Sequence, residues 1–483
     1  MPILAATPAG LDTLRVLTEV TISALREGQR RRHGPVPAGG PAAVAESVRR
    51  RLPDILPDQG VGAGEALRRV VGVVAEGAAD PADPLCAAHL HTAPLAVAAA
   101  ADLAASVLNP SLDSWDQAPA AAELERRVTQ AIAQLAYPGR RAADALVTTG
   151  ATESNLVALL LARERLGPRL QVVCSIDSHH SVARAAWLLG LPPPIGVPTR
   201  NGTMDLQALV ELLAPISGPP FVVATAGTTN RGAIDPINAI AELTQRRGGH
   251  LHVDAAYGGG LLFSSRRDLI DGIERADTIA LDLHKFGWQP LPAGLLAVRS
   301  GGLLGPLSLT ADYLNADDDQ EAGFPDLLGR SIRTSRRPDV LKIAVTFQAL
   351  GWSGLAELTD RCCAAAVLAA ELIESRPGLR LLERPTISTV LFRPVAADLL
   401  GTEAGNELVT DIRRTLLTDG TAVLGRATVI EDGLVWLKFT LLNPDVTEAQ
   451  LIRLMDLVET AAGSLADSRS SLEGKELHHA RAA

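Results

Sequence analysis

Six largely apolar runs, Ala145–Thr149, Gln171–Ile176, Phe221–Thr225, His250–Ala255, Thr278–Leu283 and Gly294–Arg299, alternate with turns and helix-like stretches through the middle of the chain. In most of these runs, such as Phe221–Thr225, apolar residues follow one another continuously instead of at every second position, the pattern of strands covered on both faces. Helical segments such as Glu153–Leu166 and Pro236–Arg247 separate them. The combination implies an α/β fold, with a mostly parallel central sheet flanked by helices. Gly150 turns the chain into the first of these helices and Gly167 ends it.

The remainder of the 483 residues divides around that pattern, and the length favours two or three domains. Residues 1–82 read as an N-terminal helical segment, broken at Gly34–Pro41 and closed by Asp80–Pro84. Residues 83–350 hold the α/β pattern. Residues 351–466 read as a smaller C-terminal α+β domain, with strand-like Ser388–Phe392 and Leu434–Leu441 and a helix at Thr447–Ala462. Residues 467–483 are polar and are expected to form a flexible tail.

A formal charge of −10 argues against a nucleic-acid surface, which needs clustered Lys and Arg. Cys86, Cys174, Cys362 and Cys363 show no metal-ligand spacing, so no metal is expected, and free thiols fit a reducing cytoplasm. No charged-then-apolar leader opens the chain. The most apolar stretch, Leu85 to Leu108, carries His89, His91, Pro94 and Asp102, which a membrane span would seldom hold together. A cytoplasmic protein with no membrane partner is the expectation.

Chemistry concentrates at the ends of the apolar runs. Asp254 closes His250–Ala255, and Lys285 follows Thr278–Leu283 directly after His284. Ligands of open α/β sheets gather at the carboxyl ends of strands, so the two side chains would face one crevice. A lysine there can form an imine with an aldehyde cofactor, and an aspartate can keep a pyridine nitrogen protonated. Taken singly, Asp254 is more simply a helix cap and Lys285 a surface lysine. Thr149–Asn155 is a small-residue turn opening a helix, a place for a phosphate or a plain cap. His179 lies at a strand exit where an imidazole either stacks on a flat ring or is structural. Thr228 and Thr229 supply hydroxyls or finish a turn.

In order and spacing, these motifs resemble the group II pyridoxal-phosphate-dependent amino-acid decarboxylases. The resemblance runs through Asn109–Trp115, Gly150–Asn155, His179, Gly227–Thr229, His252–Ala256, His284–Lys285, Ser335–Lys342 and Leu437–Pro444, covering about residues 80 to 460. It implies a fold-type-I pyridoxal-phosphate transferase-like architecture, with residues 83–350 as the cofactor domain. It also implies pyridoxal 5'-phosphate as cofactor, an amino-acid substrate and a homodimer. By the same resemblance Lys285 carries the cofactor and Asp254 pairs with its ring nitrogen. His179 and Ala256 flank the ring, and Ala151 and Thr152 hold the phosphate. Thr229 lies beside the cofactor, His284 near phosphate or substrate, and His89, Leu90, His91 and Thr92 line the substrate pocket.

Many members of that family carry a loop tyrosine that returns a proton to the α-carbon. The corresponding region here, Leu314 to Ser335, contains Phe324 and no tyrosine. Either His180, His284 or Tyr313 transfers the proton and an amine forms, or the product is an aldehyde. Asn109–Gln117 and Tyr313–Asn315 resemble the bacterial diamino-acid branch, which acts on lysine, ornithine or 2,4-diaminobutyrate and partly serves siderophore or natural-product biosynthesis. The pocket candidates Leu85, Cys86, Leu90 and Trp288 are apolar, which keeps a valine or leucine substrate open. Asp116 is the candidate acceptor for a cationic tail, and Asp317–Asp319 reads as a solvated loop.

Overall fold

The computed structural model describes residues 3–308 and 314–482, with side chains as far as Asp467. The chain forms two compact units, one of residues 90–363 and one of residues 1–89 with 364–483.

The first unit is built on a seven-stranded sheet. Its strands are β1 (Asp144–Thr148), β2 (Val172–Ser175), β3 (Ile195–Val197), β4 (Phe221–Thr225), β5 (His250–Ala255), β6 (Thr278–Asp282) and β7 (Gly294–Val298). They lie in the order β1-β7-β6-β5-β4-β2-β3. The five from β6 to β3 are parallel, and β7 runs antiparallel to both β6 and β1. Every residue of β2, β4, β5, β6 and β7 is buried, and apolar residues dominate all but β5, where His250, His252 and Asp254 alternate with Leu251, Val253 and Ala255. The helix Ala151–Leu166 has buried residues around much of its circumference, and Gly167, at φ 107°, supplies the left-handed turn that ends it. Side chains of that helix pack with Leu146, Val172, Phe221 and Leu296 into one apolar core.

In the second unit the helices Pro8–Arg32, Gly40–Arg51 and Ala63–Gly77 form the N-terminal part. A positive φ at Gly39 and at Gly62 breaks the helical pattern before each of the last two. A five-stranded sheet joins Cys86–Ala87 to β8 (Leu379–Leu381), β9 (Thr389–Pro394), β10 (Val423–Thr428) and β11 (Val435–Thr440). Its core includes Phe392, Phe439, Leu408 and Met455. The last helix runs from Glu448 to Ala482, through the stretch where a loose tail was expected. The long helix Val340–Glu374 is interrupted at Gly351, whose φ of 64° no helix accommodates. Cys362 and Cys363 are buried free thiols. Among the described residues, no helix is long and apolar enough to cross a membrane.

Candidate active site

Parallel strands deliver the reactive side chains to one end of the sheet. Asp254 is near the C-terminal end of β5 and only 4% exposed. Asp282 ends β6, and the turn after it carries His284 and Lys285. A cavity of about 320 Å³ opens there, within the range of sites for small ligands. Lys285, Asp254, His179, His284, Ala256, Ala151, Thr152, Thr229 and Leu90 all line it, together with Thr149, Thr225, Tyr257, Asp282 and Leu291. Asp254 and Lys285 thus share one crevice.

Asp282 organises the lysine side of this cavity. Its Oδ2 lies 3.0 Å from Lys285 Nζ and 3.5 Å from His284 Nε2. Its Oδ1 accepts the backbone N–H of Ala151 at 2.8 Å, capping the helix Ala151–Leu166 from a neighbouring strand. The preceding turn is held by Glu153, whose Oε2 accepts from both the N–H and the hydroxyl of Thr149 at 2.7 Å. Space at Gly150 is tight: a Cβ there would stand 3.2 Å from His284 Cε1.

Burial lowers the pKa of His179, with the nearby Asp254 opposing it and His180 and Lys285 adding to it. Burial lowers His284 too, against the pull of Asp282. Both rings are therefore neutral near pH 7. His284 Nδ1 and Thr225 Oγ1 are buried and have no hydrogen-bond partner among the described residues. Both residues line the cavity, so the site presents polar atoms that a ligand would satisfy.

The opposite side holds Asp254. Its Oδ1 accepts the N–H of Ala256 at 3.1 Å and its Oδ2 accepts Asn155 Nδ2 at 2.9 Å. Asn155 also donates to Ser181 Oγ at 2.8 Å, and its Oδ1 lies 2.9 Å from His252 Nε2. Sequence reasoning gave no role to Asp282, Asn155, Ser181 or His252. The period of a strand was a usable signal, since His250, His252 and Asp254 fall on one face of β5. Asp282 sits three residues before Lys285 in a tight turn, a spacing that brings the two side chains together.

Other candidates lie elsewhere. Thr92 is buried, does not line the cavity, and donates to the His284 carbonyl at 3.4 Å. His91 is exposed. His89, exposed and at φ 66°, belongs to the other unit, as do Leu85 and Cys86. Trp288 is buried at φ 49° and its carbonyl accepts Leu95 N–H at 2.9 Å. Asp116 accepts from Ser114 and lines a separate pocket with Trp115, Asp319 and Phe324. Phe324 is 45% exposed and packs its ring on Trp115 at 5.2 Å. Asp317–Glu321 is a short helix whose carboxylates are exposed, a turn of structure where a loop was expected. His180 lies against His179, with ring centroids 4.1 Å apart. Tyr313 falls outside the described residues.

A phosphorylated pyridine aldehyde fits these residues. Lysine for the aldehyde, carboxylate for the ring nitrogen and a helix N-terminus for the phosphate border one cavity with partnerless polar atoms in its wall.

Residues 46–395 match the model of the pyridoxal-dependent decarboxylase conserved domain. The chain is 39% identical to an L-2,4-diaminobutyrate decarboxylase of Rhizobium meliloti, over 89% of this chain and 86% of that protein. It is 31% identical to an enzyme of the same name from Acinetobacter baumannii, with 86% of each covered. Its fold is similar to the crystal structure of the glutamate decarboxylase domain of diaminobutyrate-pyruvate transaminase and L-2,4-diaminobutyrate decarboxylase from Vibrio parahaemolyticus. There the TM-score is 0.82 at 30% identity, covering 95% of this chain and 97% of that one.

Proposed function

The chain belongs to the pyridoxal-dependent decarboxylase family, and from that membership we propose that it converts L-2,4-diaminobutyrate to 1,3-diaminopropane and carbon dioxide. The enzyme is a pyridoxal-phosphate-dependent amino-acid decarboxylase. The observation that carries the choice of substrate is the 39% identity to the diaminobutyrate enzyme, sustained over 89% of the chain.

When bound, the cofactor supplies an aldehyde that holds the substrate amine and a ring that accepts the electron pair left by departing carbon dioxide. Lys285 offers the amine that binds the cofactor, and Asp282, 3.0 Å away, fixes the direction of that side chain. Asp254 keeps a proton on the ring nitrogen; its two hydrogen bonds, from Asn155 and Ala256, hold it in place for that work. The neutral imidazole of His179 provides one flat wall, and Ala256 is small enough to leave the opposite side open. The N–H and hydroxyl of Thr152 take the phosphate beside Ala151, whose own N–H is held by Asp282, and Thr229 borders the ring. Leu90 and Leu291 give the cavity an apolar edge. His284, its pKa lowered by burial and its Nδ1 without a partner, is the group in the described site suited to carry a proton to the α-carbon once it has itself taken one up. Thr92 braces the His284 backbone through its hydroxyl.

We also read the enzyme as a cytoplasmic homodimer. Leu11, Val16, Ile22 and Leu25 of the N-terminal helix are 43–52% exposed, an apolar surface that a second copy would cover.

The test is incubation of the purified holoenzyme with 2,4-diaminobutyrate, ornithine, lysine, valine and leucine, measuring amine and peroxide together. Diaminopropane without peroxide is the expected outcome. Peroxide and ammonia in step with carbon dioxide would establish the aldehyde-forming reaction instead, and turnover of valine or leucine alone would reject the diamino acid.

A further inference from the structure

Behind the cavity a polar chain crosses the core of the sheet. Arg165 Nη2 is 3.2 Å from His250 Nδ1, and His250 Nε2 is 2.9 Å from Thr278 Oγ1. Thr278 Oγ1 is 2.9 Å from His252 Nδ1, and His252 Nε2 is 2.9 Å from Asn155 Oδ1. Asn155 then reaches Asp254 and Ser181, and Ser181 Oγ lies 2.8 Å from His179 Nδ1. Thr278, His250 and His252 are fully buried, while Arg165 remains 38% exposed at the far end. We propose that this chain is a positioning relay with one permitted hydrogen-bond direction, in which Asn155 is the branch point that sets both Asp254 and His179. It rests on the reading of those two residues as the cofactor's neighbours.

The direction follows by elimination. A carboxylate only accepts, so Asn155 turns its NH2 toward Asp254 and its carbonyl toward His252. His252 must then donate from Nε2. Burial pushes the His252 pKa down to about 4 and lowers His250 as well, so each ring carries a single proton. His252 Nδ1 is therefore an acceptor, and Thr278 gives it the hydroxyl hydrogen. Thr278 in turn accepts from His250 Nε2, which leaves His250 Nδ1 bare to accept from Arg165, a residue that can only donate. On the other branch, Ser181 Oγ accepts from Asn155 and passes its own hydrogen to His179 Nδ1. The backbone N–H of Ser181 points at the same nitrogen, 3.3 Å away, which independently makes it an acceptor. All three imidazoles thus carry their proton on Nε2. Every polar atom of Asn155 is used, so its carboxamide cannot rotate without facing donor to donor in a buried site.

Histidine tautomers read the relay directly. In long-range 15N–1H correlation spectra of histidine-labelled protein, with and without cofactor, His179, His250 and His252 should all show protonated Nε2 and bare Nδ1. A proton on His252 Nδ1, alone or together with Nε2, overturns the proposal. Thr278 touches the relay and not the cavity, so it supplies the functional arm. Thr278→Val should disturb the His252 tautomer, shift the pH dependence of the visible cofactor band and lower kcat about tenfold with KM within about twofold. Thr278→Ser should restore all three. A valine variant with wild-type spectra and kcat refutes the relay. Because the tautomers are also read without cofactor, an intact pattern beside full activity in Asp254→Asn would sink the reading of Asp254 and leave the relay standing.

Discussion

Gly294→Ala is the substitution whose effect follows most directly from distances. Gly294 begins β7, opposite Thr148 of β1 and Asp282 of β6. A Cβ there would stand 2.3 Å from Gly150 Cα, 2.4 Å from Gly150 N and 2.5 Å from Thr148 Oγ1. Relief requires the Gly150 backbone to retreat by about 1 Å, since ordinary carbon contacts begin near 3.5 Å. The turn cannot yield freely, because the next residue is tied to the neighbouring strand through the Ala151 N–H, held by Asp282 Oδ1 at 2.8 Å. Gly150 leads straight into Ala151 and Thr152, which line the cavity. Overpacking of this kind costs about 1–3 kcal/mol of stability, and a displacement of about 1 Å at a site costs roughly a hundredfold in rate. The expected variant melts several degrees lower, binds pyridoxal phosphate far more weakly and loses about two orders of magnitude in kcat. Cofactor titration by absorbance, thermal melting and single-substrate kinetics measure the three. Gly305→Ala is the control, since a Cβ there meets nothing within 4 Å. Cofactor affinity and kcat within twofold of wild type in the Gly294 variant would refute the reasoning.

Two further outcomes are expected. Asp254→Asn turns an amide NH2 toward either Asn155 Nδ2 or the Ala256 N–H, both donors, and removes the charge from the ring nitrogen's partner. A loss of about 3 kcal/mol, roughly a hundredfold in kcat, should follow in steady-state assays; turnover near wild type would remove Asp254 from the mechanism. The depressed pKa of His252, about 4 against about 6.5 when unfolded, makes the unfolded chain bind the extra proton first. Its contribution is therefore intact above pH 6.5 and fades as pH falls toward 4, by about 3 kcal/mol in all. Denaturant unfolding across that range should show a steeper acid loss for wild type than for His252→Gln, and parallel curves would contradict the assignment.

The parallel sheet was legible because burial on both faces forces unbroken apolar runs, as in Phe221–Thr225. The reversal of β7 was not, since Gly294–Val298 is equally buried and equally apolar whichever way it runs. Asp254, Lys285 and the Thr149–Asn155 turn were visible as reactive types at the ends of elements. Asp282 escaped notice because an aspartate at the end of an apolar run reads as ordinary solvation. The relay escaped for a different reason: it depends on strand pairing, which places Thr278 beside His252. His89 and His91 are exposed, and neither lines the described cavity. The neighbourhood of Phe324 was obscure because its partner, Trp115, lies far away in sequence.

Everything proposed for this enzyme depends on where the cofactor is attached. Borohydride reduction of the holoenzyme, followed by digestion and mass spectrometry, would fix the modified peptide chemically. The account predicts a single pyridoxyl adduct on Lys285, absent in Lys285→Ala; an adduct on Lys342, Lys438 or another lysine, with Lys285 unmodified, would contradict it.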